Sequence, residues 1–385
     1  MRIGVDARCL ADGRRSGVEE YAIALLSELF RIDRKNEYIL FFNAWGNVDA
    51  GLSFADGFPN VSVRRFRIPN KLLNLSLWYL NWPKLDRLVG GVDAFFLPNI
   101  NFCAVSDGTK LFVTAHDLSF EAYPETFSWK QRMWHFFVNP KKLFRWADRI
   151  FSVSRSTKDD LETRYGIRPS KIEVIQSGID GRFHEYDRND PKLLSVKEKY
   201  QLPYRFILYL GAFEPRKNIV SVVRAFTALK KARHPEFEKL SLVLAGVSGW
   251  KEDEIRDEIE SSSFRGNIIL PGFVDGEDKP ALYNLASLFA YPSFYEGFGF
   301  PPLEALACGV PVVASNSSSL PEVVGDAGIL IDPHRPDELL RAFEEVLLDK
   351  KLRATLHERG LSRARRFLWG ETARRVLAEF EKEIH

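Results

Sequence analysis

Glu296 and Glu304 stand eight positions apart, with Gly297, Gly299, Pro301 and Pro302 between them. The run before them, Leu288 to Tyr291, reads as a buried strand. The glycines then fall in a tight loop and the prolines in the first turn of a helix that Gly309 and Pro311 stop. Glycines let the backbone approach a ligand closely, and a helix N-terminus offers unpaired N–H groups and the positive end of its dipole. This arrangement suits anion binding, phosphate above all, with two carboxylates framing the ligand. Taken singly, Glu304 reads as a first-turn acid complementing the helix dipole and Glu296 as a solvated loop acid. The combined pattern favours a ligand site.

The other candidates also follow strands, where open α/β sheets present their functional loops. In Gly211-Ala212-Phe213-Glu214-Pro215-Arg216-Lys217-Asn218 a glycine turn leads to a helix that opens with Arg216 and Lys217. Two cations oppose the helix dipole there, so an anionic partner is expected; the alternative is a solvated basic turn. The loop Asp12 to Glu19, with Gly13 and Gly17, joins the first strand to the first helix, and it is not a P-loop because no Gly-Lys-Ser/Thr follows. His116-Asp117 follows the strand Leu111 to Ala115, where a lone histidine commonly serves as a structural hydrogen-bonder. Phe273 and Val274 follow the strand Asn267 to Leu270, with core packing of Phe273 as the alternative to ligand contact.

Positioning these loops takes an alternating α/β chain. Arg2–Asp6, Tyr38–Asn43, Val61–Phe66, Ala94–Leu97, Leu111–Ala115, Arg149–Val153 and Ile172–Ile175 read as strands. A helix over Val18–Arg31 places Tyr21, Leu25, Leu26, Leu29 and Phe30 on one face. From Ser170 to about Pro203 the apolar period lapses, and the stretch reads as an interdomain linker. Alternation resumes with strands at Phe206–Leu210, Ser241–Ala245, Asn267–Leu270, Leu288–Tyr291, Pro311–Ala314 and Gly328–Ile331, and a helix at Ile219–Lys231. The predicted architecture is two doubly wound Rossmann-like domains facing across a cleft. The boundaries are residues 1–185 for the first domain, 186–203 for the linker and 204–367 for the second domain, with 368–385 helical.

The run Phe294-Tyr295-Glu296-Gly297-Phe298-Gly299-Phe300-Pro301-Pro302-Leu303-Glu304-Ala305-Leu306-Ala307-Cys308-Gly309-Val310-Pro311-Val312-Val313-Ala314-Ser315 resembles the signature of retaining glycosyltransferase family 4, which has the GT-B fold. The match extends from Tyr291 and continues through Leu320-Pro321-Glu322-Val323-Val324-Gly325-Asp326-Ala327-Gly328. The resemblance implies that the last helix crosses back onto the first, acceptor-side domain and that the second domain binds a nucleotide sugar. It implies that Lys217, with Arg216 in place of the arginine many members carry where this chain has Ala212, holds the donor diphosphate. Glu296 would contact the donor sugar, the backbone of Gly297, Phe298 and Gly299 sugar or phosphate oxygens, and Glu304 the ribose. Phe273 and Val274 would lie at the base, Gly17 near phosphate and acceptor, and His116 beside the transferred sugar. It also implies a front-side mechanism in which the leaving phosphate helps deprotonate the acceptor.

The Glu-Pro-Arg-Lys-Asn form of the loop resembles bacterial mannosyltransferases of polysaccharide assembly, which favours GDP-mannose and a lipid-linked oligosaccharide acceptor. No Asp-x-Asp occurs, so no metal site is expected, and Arg216, Lys217 and helix N-termini would stabilise the departing diphosphate. The alternatives are a soluble synthase acting on a sugar or polyol, and a nucleotide-sugar-binding scaffold without turnover. A dinucleotide-dependent redox enzyme fits less well, because Gly297-x-Gly299 lacks a third glycine.

The chain has 385 residues, 45% apolar and 28% charged, and a net charge of +2, a balance that gives no argument for nucleic acid as partner. Cys9, Cys103 and Cys308 suggest neither a disulfide framework nor a zinc site. The N-terminus begins directly as a strand, and no apolar run approaches the roughly 18 residues a membrane span needs, so a cytoplasmic protein is expected. Two stretches mix aromatic and cationic residues: Lys71 to Trp82, preceded by Arg64, Arg65 and Arg67, and Trp129 to Phe137, followed by Lys141, Lys142, Arg145 and Trp146. Each alone reads as core aromatics with a solvated charged face. Together they suit peripheral contact with a membrane carrying anionic lipid or a lipid diphosphate.

Overall fold

A computed structural model of the chain describes residues 1–11, 17–44, 52–247, 249 and 252–384. They form two compact units, one of Met1–Phe120, Trp129–Gly178 and Leu368–His385, the other of Glu121–Ser128 and Ile179–Phe367.

In the first unit the strands are β1 (Arg2–Asp6), β2 (Glu37–Asn43), β3 (Val61–Phe66), β4 (Ala94–Leu97), β5 (Lys110–Ala115), β6 (Arg149–Ser152) and β7 (Ile172–Val174). They pair in the order β3-β2-β1-β4-β5-β6-β7, all parallel. Parallel sheets are covered on both faces, and β4 and β6 are accordingly buried throughout. Helix α1 (Gly17–Ile32) buries Tyr21, Leu25, Leu26, Leu29 and Phe30. Helices α2 (Asn70–Tyr79) and α3 (Trp129–Val138) set Leu73, Leu77 and Val138 in the core, with Trp134 and Phe137 packed against it. The C-terminal helix Trp369–Ile384 also belongs to this unit. Its Phe380 ring meets Phe112 edge-on at 4.7 Å, and Glu379 pairs with Arg149 at 2.5 Å. Gly178 lies so close to Trp369 that a Cβ there would sit 2.2 Å from its backbone nitrogen.

The second unit holds β8 (Phe206–Leu210), β9 (Ser241–Ala245), β10 (Ile268–Gly272), β11 (Leu288–Tyr291), β12 (Val312–Ser315) and β13 (Gly328–Ile331) in the order β10-β9-β8-β11-β12-β13. Its helices include α4 (Pro191–Lys199), α5 (Ile219–Lys231), α6 (Lys279–Leu285) and α7 (Phe300–Ala307).

The stretch 186–203, expected as a linker, is instead part of this unit: α4 packs against α6, and the unit begins at Ile179 rather than after 203. The reason it escapes apolar patterning is visible in its contacts. Val196 is the one buried residue of α4, and the helix is held by Lys192 and Lys199, whose ammonium groups reach the Asp278 carboxylate at 2.6 and 2.7 Å.

Candidate active site

Chain order reverses in the second sheet between β8 and β11, the position where open α/β sheets leave a crevice outside the strand ends. Arg216 and Lys217 follow β8, and Glu296 follows β11, so residues 79 positions apart in the chain meet there. Lys217 Nζ donates to Glu296 Oε1 at 2.6 Å and to Tyr291 Oη at 2.8 Å, which leaves one of its three N–H groups for another acceptor among the described residues. Ser293 Oγ donates to the same Oε1 at 2.6 Å, and Arg216 Nη1 lies 3.4 Å from Oε2.

All three charged groups are nearly buried, so their ionisation is coupled. Burial alone would raise the Glu296 pKa, but Lys217, Arg216 and the hydrogen bonds from Lys217 and Ser293 pull it down to about 2. Burial and Arg216 lower the pKa of Lys217, with Glu296 opposing them.

One alternative and one expectation fall here. Glu296 is only 8% exposed, which removes the alternative of a solvated loop acid. Arg216 and Lys217 do not open a helix: they lie on a single 3-10 turn, Pro215–Lys217, and α5 begins only after Asn218, whose φ of 56° breaks the path. The anion that compensates them is Glu296, with Glu214 Oε2 3.6 Å from Arg216, so opposition to a helix dipole is not the force at work.

The loop after Glu296 is braced by hydroxyls. Ser318 Oγ accepts from the Glu296 N–H at 2.8 Å, and Ser319 Oγ lies 2.9 and 2.8 Å from the Glu296 and Phe298 carbonyls. With the carbonyls held this way, the N–H groups of Gly297, Phe298 and Gly299 make no hydrogen bond among the described residues. Gly299 takes φ +106° as it enters α7. Successive free N–H groups ahead of a helix form an anion-binding concavity.

Glu304 is the fifth residue of α7, past the first turn where sequence placed it, since Phe300 and the two prolines fill that turn. It is buried, and its Oε2 accepts from Tyr283 Oη at 2.7 Å, so its anchor is a side chain and not the helix dipole. Val274 is buried, whereas Phe273 is 62% exposed, so Phe273 does not pack in the core.

Sequence reasoning passed over Ser293, Ser318, Ser319, Tyr291 and Tyr283. The hydroxyl run Ser317-Ser318-Ser319 just after β12 is the signal that could have pointed to the first brace.

In the first unit, His116 Nε2 lies 2.8 Å from the Pro98 carbonyl just past β4. A carbonyl only accepts, so Nε2 carries the proton and Nδ1 is an acceptor. Burial holds the imidazole pKa below its ordinary value, which keeps it neutral, and Tyr21 packs on it edge-on at 4.7 Å. Gly17 is the exposed first residue of α1, while Asp12 to Ser16 of the same loop lie outside the described residues.

Comparison with known proteins identifies the family. Residues 15–182 match the model of Glycosyltransferase Family 4, and residues 193–363 that of Glycosyl transferases group 1. The chain is 36% identical over 264 residues to O-antigen chain mannosyltransferase B of Escherichia coli, covering 68% of this chain and 67% of that protein. It is 33% identical over 275 residues to the serotype-specific mannosyltransferase WbdA of Escherichia coli, covering 71% of this chain but only 33% of WbdA. A solved glycosyltransferase from Rickettsia africae shares the fold, with TM-score 0.76 and 19% identity over 100% of this chain and 98% of that one. With a family 4 model on its first half, a group 1 model on its second and two parallel Rossmann-like sheets beneath them, the chain belongs to the GT-B glycosyltransferases.

Proposed function

We propose that this protein transfers mannose from GDP-mannose to a saccharide hydroxyl with retention of anomeric configuration. The acceptor is a lipid-linked oligosaccharide of a cell-surface polysaccharide, met on the cytoplasmic face of a membrane. The observation that carries the reading is the meeting of Lys217, Arg216 and Glu296 beside the free N–H groups of Gly297, Phe298 and Gly299, in a chain similar to two mannosyltransferases. A diphosphate oxygen accepts from the remaining Lys217 N–H, and the loop N–H groups take its other oxygens. Glu296 then faces the donor sugar, Glu304 the ribose, and Phe273 with Val274 the base. In the first unit, His116 accepts a substrate hydroxyl at Nδ1 and the backbone of Gly17 contacts substrate.

In the reaction the bond from the anomeric carbon to the phosphate oxygen breaks, and a bond to the acceptor oxygen forms on the same face. The acceptor proton passes to the departing phosphate. The charge growing on that phosphate is met by Lys217, Arg216 and backbone N–H groups, so we propose that turnover is independent of metal.

Thermal stability against GDP-, UDP-, ADP- and TDP-sugars, with EDTA throughout, tests both parts. Stabilisation by GDP-mannose alone is expected, reaching about 2.7 kcal/mol at a hundredfold excess over Kd. Stabilisation by a different base overturns the donor, and a shift that needs Mg²⁺ or Mn²⁺ overturns metal independence.

A further inference from the structure

Helix α2 carries two apolar stripes. Leu73 and Leu77 enter the core, while Leu72, Leu75 and Tyr79, at spacings of three and four, stand 61%, 58% and 75% exposed. Helix α3 repeats the pattern: Trp134 and Phe137 pack inward, and Trp129, Met133 and Phe136 face out, Trp129 and Phe136 at 70% and 72%. A helix apolar on opposite faces normally lies wholly inside a protein. Here the outer stripes stay in the open, and the two helices that carry them meet, Trp78 of α2 packing edge-on against Phe137 of α3 at 5.2 Å. Beside α2 an apolar groove of about 590 Å³ runs between Leu72, Leu75, Tyr79, Leu80, Trp82 and Leu88. A contiguous exposed patch of this kind marks an interaction surface.

The charge around the patch selects the partner. Across the whole chain cations and carboxylates nearly balance, 54 against 52, yet residues 61–85 and 126–147 contain no Asp or Glu. The first stretch carries Arg64, Arg65, Arg67, Lys71 and Lys84; the second carries Lys130, Arg132, Lys141, Lys142 and Arg145. Lys71, Lys130 and Arg132 are exposed on α2 and α3 themselves. A second copy of this surface would bring cation against cation. Apolar side chains with Trp and Tyr, on two stretches whose formally charged residues are all cations, match the acyl boundary and headgroups of an anionic bilayer.

We infer that the outer faces of α2 and α3 form a membrane-docking surface for anionic lipid, with the aromatic side chains at headgroup depth and the groove open to hydrocarbon. This deepens the lipid-linked acceptor reading but depends on nothing at the donor site, which lies in the other unit. Among the described residues no helix is long and apolar enough to cross a membrane, so docking is interfacial.

Co-sedimentation of the full chain with vesicles of phosphatidylcholine alone, or with 30% phosphatidylglycerol, tests the inference. Binding to the anionic vesicles at least tenfold tighter is expected, weakening at high salt as surface charges are screened. The double variant Leu75→Glu/Phe136→Glu is expected to lose at least tenfold of that binding. Its unfolding temperature stays unchanged, because both positions are exposed. Equal binding by the variant, or no binding of the wild type to anionic vesicles, overturns the inference. So does a wild-type dimer in light scattering that the double variant converts to monomer, since a second copy would then be what covers the face. Vesicle binding without any response to nucleotide sugars leaves this surface standing and overturns the donor reading instead.

Discussion

At the scale of single residues, Glu296 has two jobs that pull apart experimentally. In the free protein it neutralises Lys217 and Arg216, and in the proposed reaction it faces the donor sugar. Truncating Lys217 to Ala removes the proposed diphosphate contact and is expected to weaken GDP-mannose binding roughly tenfold, about 1.4 kcal/mol. Glu296→Ala leaves Lys217 freer to hold phosphate, so nucleotide affinity is retained while turnover drops on the order of 100-fold. Equal loss of nucleotide binding in both variants contradicts the separate roles; titration calorimetry and initial rates distinguish them. The same carboxylate ties stability to pH. Its folded pKa of about 2 lies below the ordinary value of 4.5, so the unfolded chain binds the proton first. The stabilisation is therefore full above about pH 5 and is lost as pH falls toward 2, an amount of about 3 kcal/mol. Glu296→Gln is expected to flatten that limb in acid unfolding, and to cost about 3 kcal/mol at neutral pH by removing the carboxylate that neutralises Lys217 and Arg216.

At the scale of elements, the cradle depends on how β11 hands over to α7. Gly299 enters the helix at φ +106°, and a Cβ there would lie 2.7 Å from Leu320 Cδ2. Gly299→Ala is expected to cost about 1 to 3 kcal/mol in urea unfolding and to lower GDP-mannose affinity with it, because the backbone carrying the N–H groups of 297–299 must shift. Unchanged affinity in a destabilised variant would show that those N–H groups do not hold the donor. Much of this element was legible beforehand: the strand at Leu288–Tyr291, the glycine loop and the proline-started helix appear where spacing placed them. The turn after β8 was less legible, because Pro215 and the left-handed Asn218 detach Arg216 and Lys217 from the helix that follows. Helix α4 was missed altogether, because cations reaching Asp278 hold it where an apolar stripe would be expected.

At the scale of the whole molecule, the C-terminal helix closes the first unit after the chain has completed the second. Phe380 meets Phe96, Phe112 and Phe151, and Arg149 ties Glu379 to the end of the sheet. Phe380→Ala is expected to destabilise the first unit by about 3 to 5 kcal/mol while stabilisation by GDP-mannose persists in the second. Two separated transitions in calorimetry, the lower one moved by the variant, would be the signature. Loss of nucleotide response instead would mean that the units do not unfold independently.

Alternating periods, turn residues and the long run from Tyr291 to Gly328 determined, from sequence alone, two parallel α/β sheets and the family they belong to. Those signals are local, since strand and helix periods and glycine turns act over a few residues. Tertiary structure alone decided which carboxylate answers Lys217, because that partner lies 79 positions away and becomes a partner only when β8 and β11 pair. It also decided that one apolar stripe of α2 and of α3 stays outside. Periodicity can show that a helix has two apolar faces, but which of them meets the core depends on the surface the rest of the chain presents to it.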